Sequence, residues 1–228
     1  MKQGDNVCLP EGWKIKKLGE VIEIINGKNQ SLVISNSGKY PIYGSAGNLM
    51  GLADNYLCEK GTTIIGRKGN ISNPIYIEER FWNVDTAFGI YPKNGFDPKY
   101  IYYLCKTIDF KSRNRGTTIP SLVKSDLLGI DINFCSVIPE QHRIVSILDR
   151  SFAAIDKAKA NAEQNLKNAK ELFESYLEGV FEKKGDGWVD QFFEDCFNLR
   201  SGDNLTAKNM TEGNYPVFGG EWYCRLSQ

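Results

Sequence analysis

The sequence predicts a mixed α/β domain followed by a long coiled-coil helix. Three observations carry this. Short β-branched and aromatic runs separated by glycine turns fill the first 138 residues. An apolar heptad without a central Gly or Pro runs from Ile138 to Phe181. Beyond it, the sequence repeats its own beginning at an offset of 175 residues.

The domain is read from its punctuation. Trp13–Ile25 is strand-like and ends at Asn26–Gly27, a tight-turn signal. Ser37–Gly38 precedes a strand over Lys39–Tyr43, which breaks at Gly44. Thr62–Ile65 is β-branched throughout and reads as a buried strand, followed by a turn over Gly66–Asn70. Ile75–Ile77 and Phe88–Tyr91 are further strands. Pro98–Thr107 reads as a short helix, and Leu122–Leu128 as a second helix or a turn. These bounds give a domain over 1–138, a helix over 139–183 and the start of a second, incomplete domain over 184–228.

In the helix, position a falls at Phe152, Lys159, Leu166, Phe173 and Val180. Position d falls at Leu148, Ile155, Ala162, Ala169 and Tyr176. Pro139 suits the first turn, and Glu140 sits at the positive end of the helix dipole. Gly185 and Gly187 stop the helix. At ~1.5 Å per residue the rod is roughly 65 Å long. Its seam (Leu148, Phe152, Ile155, Leu166, Phe173, Tyr176 and Val180) expects a partner, because exposed apolar stripes favour aggregation.

The repeat maps Gly12–Trp13 onto Gly187–Trp188, Leu18 onto Phe193, Glu20 onto Asp195 and Gly27 onto Gly202. It continues with Gly38 onto Gly213, and Tyr40–Gly44 onto Tyr215–Gly219, without a gap. The second copy runs for about 41 residues, to Gln228.

Charge is balanced but uneven: 17 Lys and Arg against 13 Asp and Glu in residues 1–135, and 11 against 15 in the rest. A mildly basic first part permits nucleic-acid binding without demanding it. Six widely spaced cysteines with no CxxC pair, a polar N-terminus and no long apolar run predict reduced thiols in the cytoplasm and no membrane association. The single histidine, His142, excludes a His-rich metal site or a Ser-His-Asp triad elsewhere; its place in the first turns of the rod suggests a solvated or interface role.

Two stretches carry candidate chemistry. Arg67, Lys68 and Asn70 sit on a glycine-flanked turn that can approach a groove, or can simply be solvated. Residues 106–124 carry Lys106, Lys111, Arg113, Arg115 and Lys124 against the single acid Asp109. Asn114, Thr117, Thr118 and Ser121 interleave them, a mixture suited to phosphate and base-edge contacts. Tyr43, Ser45 and Asn48 on a glycine loop are weaker candidates. Asn73–Tyr76 resembles the Asn-Pro-Pro-Tyr motif of adenine methyltransferases but lacks its second proline, and no glycine-rich cofactor loop precedes it. A strand-start turn is the plainer reading there.

Four segments together resemble the specificity subunit of type I restriction–modification systems. They are GKYPIYGSAGNLMGLAD, TTIIGRKGNISNPIYIEERFWNVDTAFGIYPK, RGTTIPSLVKSDLLGIDINF, and IPEQHRIVSILD opening the long helix. The resemblance implies a target-recognition domain that binds double-stranded DNA, and a helix that spaces two such domains and docks the modification subunit. It implies a non-catalytic chain without cofactor or metal, serving a modification subunit that binds S-adenosylmethionine and a restriction subunit that uses ATP and Mg. Such a family member has two recognition domains and two helices. One full domain, one helix and a short second copy suggest a half-length subunit that pairs with a second copy or with another half-subunit. A truncated, inactive or regulatory product of a longer gene is the alternative, and a small adenine methyltransferase a more distant one.

Overall fold

The computed structural model describes residues 9–93 and 95–202, and the backbone of 215–219 and 222–227. The chain divides into two compact units, Met1–Gln164 and Asn165–Gln228.

The first unit is strand-rich. β1 (Trp13–Lys17) leads into a one-turn helix α1 (Leu18–Val21) and then β2 (Ile22–Asn26). β3 (Tyr40–Tyr43), β4 (Leu49–Ala53), β5 (Thr62–Gly66), β6 (Ile75–Ile77), β7 (Trp82–Asn83) and β8 (Ala87–Pro92) follow. Helix α2 (Pro98–Lys106), a 3-10 turn at Lys111–Arg113, helix α3 (Lys124–Leu128) and β9 (Asp131–Cys135) close the globule. Helix α4 then runs unbroken from Ile138 to Glu182.

A four-stranded antiparallel sheet, β2-β8-β5-β6, lies at the centre. Every residue of β5 is buried. Side chains alternate faces along a strand, so a strand covered on both sides reads as a continuous apolar run rather than an alternating one. Ile65 and Phe88 pack with Leu18, Ile22, Ile101, Phe110, Leu127 and Phe134. Ile64 and Ala87 belong to a second cluster with Ile42, Ala53, Cys58, Phe81 and Trp82, under the smaller sheet β4-β3-β7. A third pairing, β1 with β9, ties the start of the unit to the residues just before α4. α2 begins as its sequence dictates: Asp97 Oδ1 accepts from Tyr100 N at 2.8 Å, with Pro98 in the first turn.

One expectation changes its meaning. Asn26–Gly27 marks the end of a strand, but no hairpin turns there, since β2 pairs with β8. Gly27 is required by close approach: a Cβ at this position would lie 1.8 Å from the Val84 carbonyl oxygen. Leu122–Leu128 resolves into a strand-like lead and a helix from Lys124.

Cys58, Cys105 and Cys135 are buried and free, and Cys196 is exposed and free. Burial pushes the Cys58 and Cys105 thiols up to about 12, which makes them inert packing groups. Cys8 and the Cys224 side chain lie outside the described residues. Among the described residues no helix is long and apolar enough to cross a membrane.

The second unit contains the remainder of α4, a one-turn helix α5 (Phe193–Cys196), and a hairpin of β10 (Tyr215–Gly219) and β11 (Trp222–Ser227). The 175-residue offset reappears in backbone geometry. It relates α1 to α5 end for end, and Gly12 at φ 82° to Gly187 at φ 92°. It also relates the register irregularity at Ile42/Tyr43 to that at Val217/Phe218. Gly213 lies outside the described residues.

Since Ile64 is fully buried in the doubly covered sheet, Ile64→Ala is expected to cost about 2–5 kcal/mol in urea denaturation with the slope unchanged.

Candidate nucleic-acid interface

The two basic stretches, some fifty residues apart in sequence, are brought into one surface. The turn after β5 and the loop before α3 are laced by backbone: Leu122 N donates to Arg67 O (2.9 Å) and Gly69 N to Pro120 O (2.9 Å). Lys68 and Ser121 form an isolated antiparallel bridge. Gly69 adopts φ 83° at the tip, a left-handed conformation that costs glycine least.

Asn114 organises the loop. Its Oδ1 accepts from Gly116 N (2.9 Å) and Ser121 N (2.8 Å), while its Nδ2 donates to Gly116 O (3.0 Å). The loop closes so tightly that a Cβ on Gly116 would sit 1.9 Å from the Ile119 carbonyl oxygen. Asp109 plays the matching role at the 3-10 turn, accepting from Lys111 N and Ser112 N. The only acid of the basic stretch is thereby bonded to backbone donors.

The cations differ in how far they are engaged. Arg67 donates to the Asp85 carbonyl (3.3 Å) and lies 6.0 Å from the Phe88 ring centroid. Arg115 pairs with Asp126 at 2.8 Å while remaining 69% exposed. Lys124 is half-buried and donates to Ile24 O at 2.6 Å, which anchors the loop to β2. Lys68, Lys111 and Arg113 are exposed and make no ion pair with described residues. Arg113 also lines a cleft of about 310 Å³ with Thr107, Ser112 and Asn133. Thr117 and Thr118 are exposed at the loop tip, whereas Asn70 and Ser121 are half-buried at its base. The arrangement presents exposed cations and hydroxyls on a braced turn, the chemistry of phosphate and groove contact.

Other candidates fall elsewhere. Tyr43 donates to Glu79 (2.9 Å); burial first, then Glu79, pushes its phenol up. Pro74 is buried, and the Tyr76 ring tilts against Tyr102 at 5.6 Å with Lys99 Nζ 6.0 Å from its centroid. Tyr76 is thus engaged by neighbours within the domain, as a strand-start turn requires.

The start of α4 holds polar residues that sequence reasoning passed over. Gln141 is the buried residue of α4. Its Oε1 accepts from Asp97 N (2.8 Å) and its Nε2 donates to Cys135 O (2.9 Å). Asp149 accepts from the Tyr103 hydroxyl (2.5 Å) and pairs with Lys99 (2.9 Å). Partial burial raises the Asp149 carboxyl, but Tyr103 and Lys99 outweigh it and hold it below the usual carboxylate range. Burial, followed by Asp149, pushes the Tyr103 phenol up. His142 is exposed, with Nε2 3.5 Å from Asp97. Nothing local in the sequence marks Gln141, since its burial comes from α2 and β9.

Beyond its first turns the seam of α4 is exposed. Leu148 is half-buried, and Phe152 stacks on Tyr103 at 5.7 Å with an interplanar angle of 9° while remaining partly exposed. Ile155 is exposed. In the second unit Leu166, Phe173, Tyr176 and Val180 are exposed, and Tyr176 and Val180 line a groove of about 570 Å³.

Residues 10–168 match the family model described as the type I restriction modification DNA specificity domain. The chain is 26% identical to the type I restriction enzyme MjaIX specificity subunit of Methanocaldococcus jannaschii, over 92% of this chain and 57% of that protein. It is 27% identical to the EcoDI specificity subunit of Escherichia coli, over 68% of this chain and 35% of that protein. The chain thus spans about a third to three fifths of the length of these relatives. The crystal structure of a type I restriction–modification S subunit from M. genitalium superposes with a TM-score of 0.55 at 21% identity, covering 100% of this chain and 64% of that one. A structure of a type I restriction–modification assembly gives 0.60 at 22% identity, covering 73% and 46%. These neighbours share the fold of a strand-rich domain followed by a long helix.

If Asn114 braces the loop, Asn114→Ala releases two backbone donors. Hydrogen exchange at the Gly116 and Ser121 amides is expected to accelerate by an amount equivalent to about 1 kcal/mol, with the core amides of β5 unchanged.

Proposed function

The chain belongs to the type I restriction–modification DNA specificity family, and from that premise we propose that it is a sequence-specific DNA-recognition subunit. The observation that carries the reading is the joined surface of Lys68, Lys111 and Arg113, exposed and free of ion pairs with described residues, on loops braced from within. In this reading the chain is non-catalytic and cytoplasmic. It directs adenine methylation by a modification subunit carrying S-adenosylmethionine, and cleavage by a restriction subunit using ATP and Mg. The chain itself holds neither cofactor. The exposed heptad of α4 supports pairing with an equivalent helix, from a second copy or from another half-subunit. Two identical recognition domains related by a two-fold axis would read an interrupted palindrome.

Contacts to phosphate release counterions, so each cation lost should lower the slope of log K against log salt by about 0.9. Lys68→Ala and Arg113→Ala are each expected to do this in DNA titrations of the complex with the modification subunit. Salt slopes identical to that of the unaltered chain would remove this surface from the interface.

Pairing through α4 predicts a dimer in sedimentation at micromolar protein, and Phe173→Asp with Tyr176→Asp should shift it to monomer. A clean monomer for the unaltered chain, with no partner half-subunit in co-purification, would count against the pairing.

A further inference from the structure

Helix α4 is held to the domain at two separated points. At the first, Gln141 bridges Asp97 N and Cys135 O. Asp97 is the N-cap of α2, and Cys135 ends β9. The circuit closes because Cys135 N donates to the Tyr100 hydroxyl at 2.8 Å, and Tyr100 N donates to Asp97. One glutamine therefore joins the helix to a helix start and a strand end at once. Both groups it satisfies are backbone groups, which cannot turn away to find other partners. At the second point, Asp149 binds Tyr103 and Lys99 from α2, and Phe152 stacks on the same Tyr103. Ile144 and Val145 pack against the core between them.

Two fixed points define a direction. Gln141 and Asp149 are eight residues apart, about 12 Å along the helix axis. A 1 Å slip at one point tilts the axis by about 5°. By Gln164, about 35 Å beyond Gln141, that tilt displaces the helix by about 3 Å. The rise of one base pair is ~3.4 Å. Small looseness at the base is therefore comparable with one step of DNA.

We propose that Gln141, with Tyr103 and Asp149 as its second anchor, fixes the direction in which α4 leaves the recognition domain, and through it the number of base pairs between the two half-sites that a paired complex reads. These are positioning residues: the contacts of Gln141, Tyr103 and Asp149 are with α2, the end of β9 and α4, and half-site sequence is read by other residues. The inference rests on the proposed DNA-recognition function and on pairing through α4.

The test is methylation mapping in cells carrying the full chain and its modification subunit. The unaltered chain should give one bipartite sequence with one spacer length. Gln141→Met preserves volume but leaves Asp97 N and Cys135 O without this partner; Tyr103→Phe keeps the ring stack but removes the hydroxyl. Both should retain the half-site sequences while methylation at spacers one base pair longer or shorter rises roughly tenfold, as about 1.4 kcal/mol of lost orientational preference would give. The double variant should exceed either single one. If Gln141→Met does not melt cooperatively, Tyr103→Phe decides. Variants that only lower total methylation, with the spacer unchanged, overturn the inference. An unaltered chain that directs no bipartite methylation overturns the functional reading instead.

Discussion

Burial of the β2-β8-β5-β6 sheet on both faces is the constraint from which the rest of the domain follows. A sheet covered on one face only could have been held by a single core. Here Ile64 and Ile65, adjacent in sequence, belong to different clusters. The domain therefore needs two cover layers: α1, α2, α3 and β9 on one side, and the β4-β3-β7 sheet on the other. Covering both faces forces the chain to cross from one layer to the other at the strand ends. The Arg67–Lys68 turn leaves the end of β5 and leads back into β6 of the same sheet. The loop that carries Arg113 returns to it because Leu122, packed in the first core, places Ser121 beside Lys68.

That origin explains why the basic surface is rigid in its backbone and free in its side chains. Backbone donors and acceptors between residues 67–69 and 120–122 satisfy one another, and Asn114 and Asp109 satisfy much of the remainder. The cations are left with different amounts of freedom. Lys124 supports the loop from below, whereas Lys68, Lys111 and Arg113 extend outward. Pre-ordering the backbone lowers the entropy lost on contact, while long side chains retain the reach needed to meet phosphates along a groove.

Legibility in the sequence followed the range of the interactions. β5 was readable because a β-branched run buried on both faces leaves a local signature, and α2 because its run begins at Pro98, which suits a first helical turn. The extent of α4 was readable from its heptad and flanking glycines. What could not be read were roles created by distant backbone. Gly27 carries a turn signal, yet its reason is the Val84 carbonyl from across the fold. Asn114 was legible as a polar residue of the basic loop, but not that its side-chain oxygen braces Gly116 and Ser121. Gln141 is a polar residue in the first turn of a helix, and only its contacts with the start of α2 and the end of β9 bury it.

The internal repeat separates local from tertiary causes directly. Leu18–Val21 and Phe193–Cys196 form the same one-turn helix, with preceding residues at φ −71° in both cases. In the first unit Leu18 and Ile22 are buried; their equivalents Phe193 and Phe197 are each 60% exposed and stack on one another at 4.6 Å. The turn has the same backbone geometry in both units, while among the described residues only the first unit packs a core around it. In the first unit the Leu18 amide donates to Ile130 O at 2.7 Å, and α1 packs on α3, both supplied more than one hundred residues later. Fully burying a leucine- or phenylalanine-sized side chain contributes about 1.5–3 kcal/mol. Among the described residues most of that contribution is present at Leu18 and not at Phe193, so the local motif and its burial are separate matters.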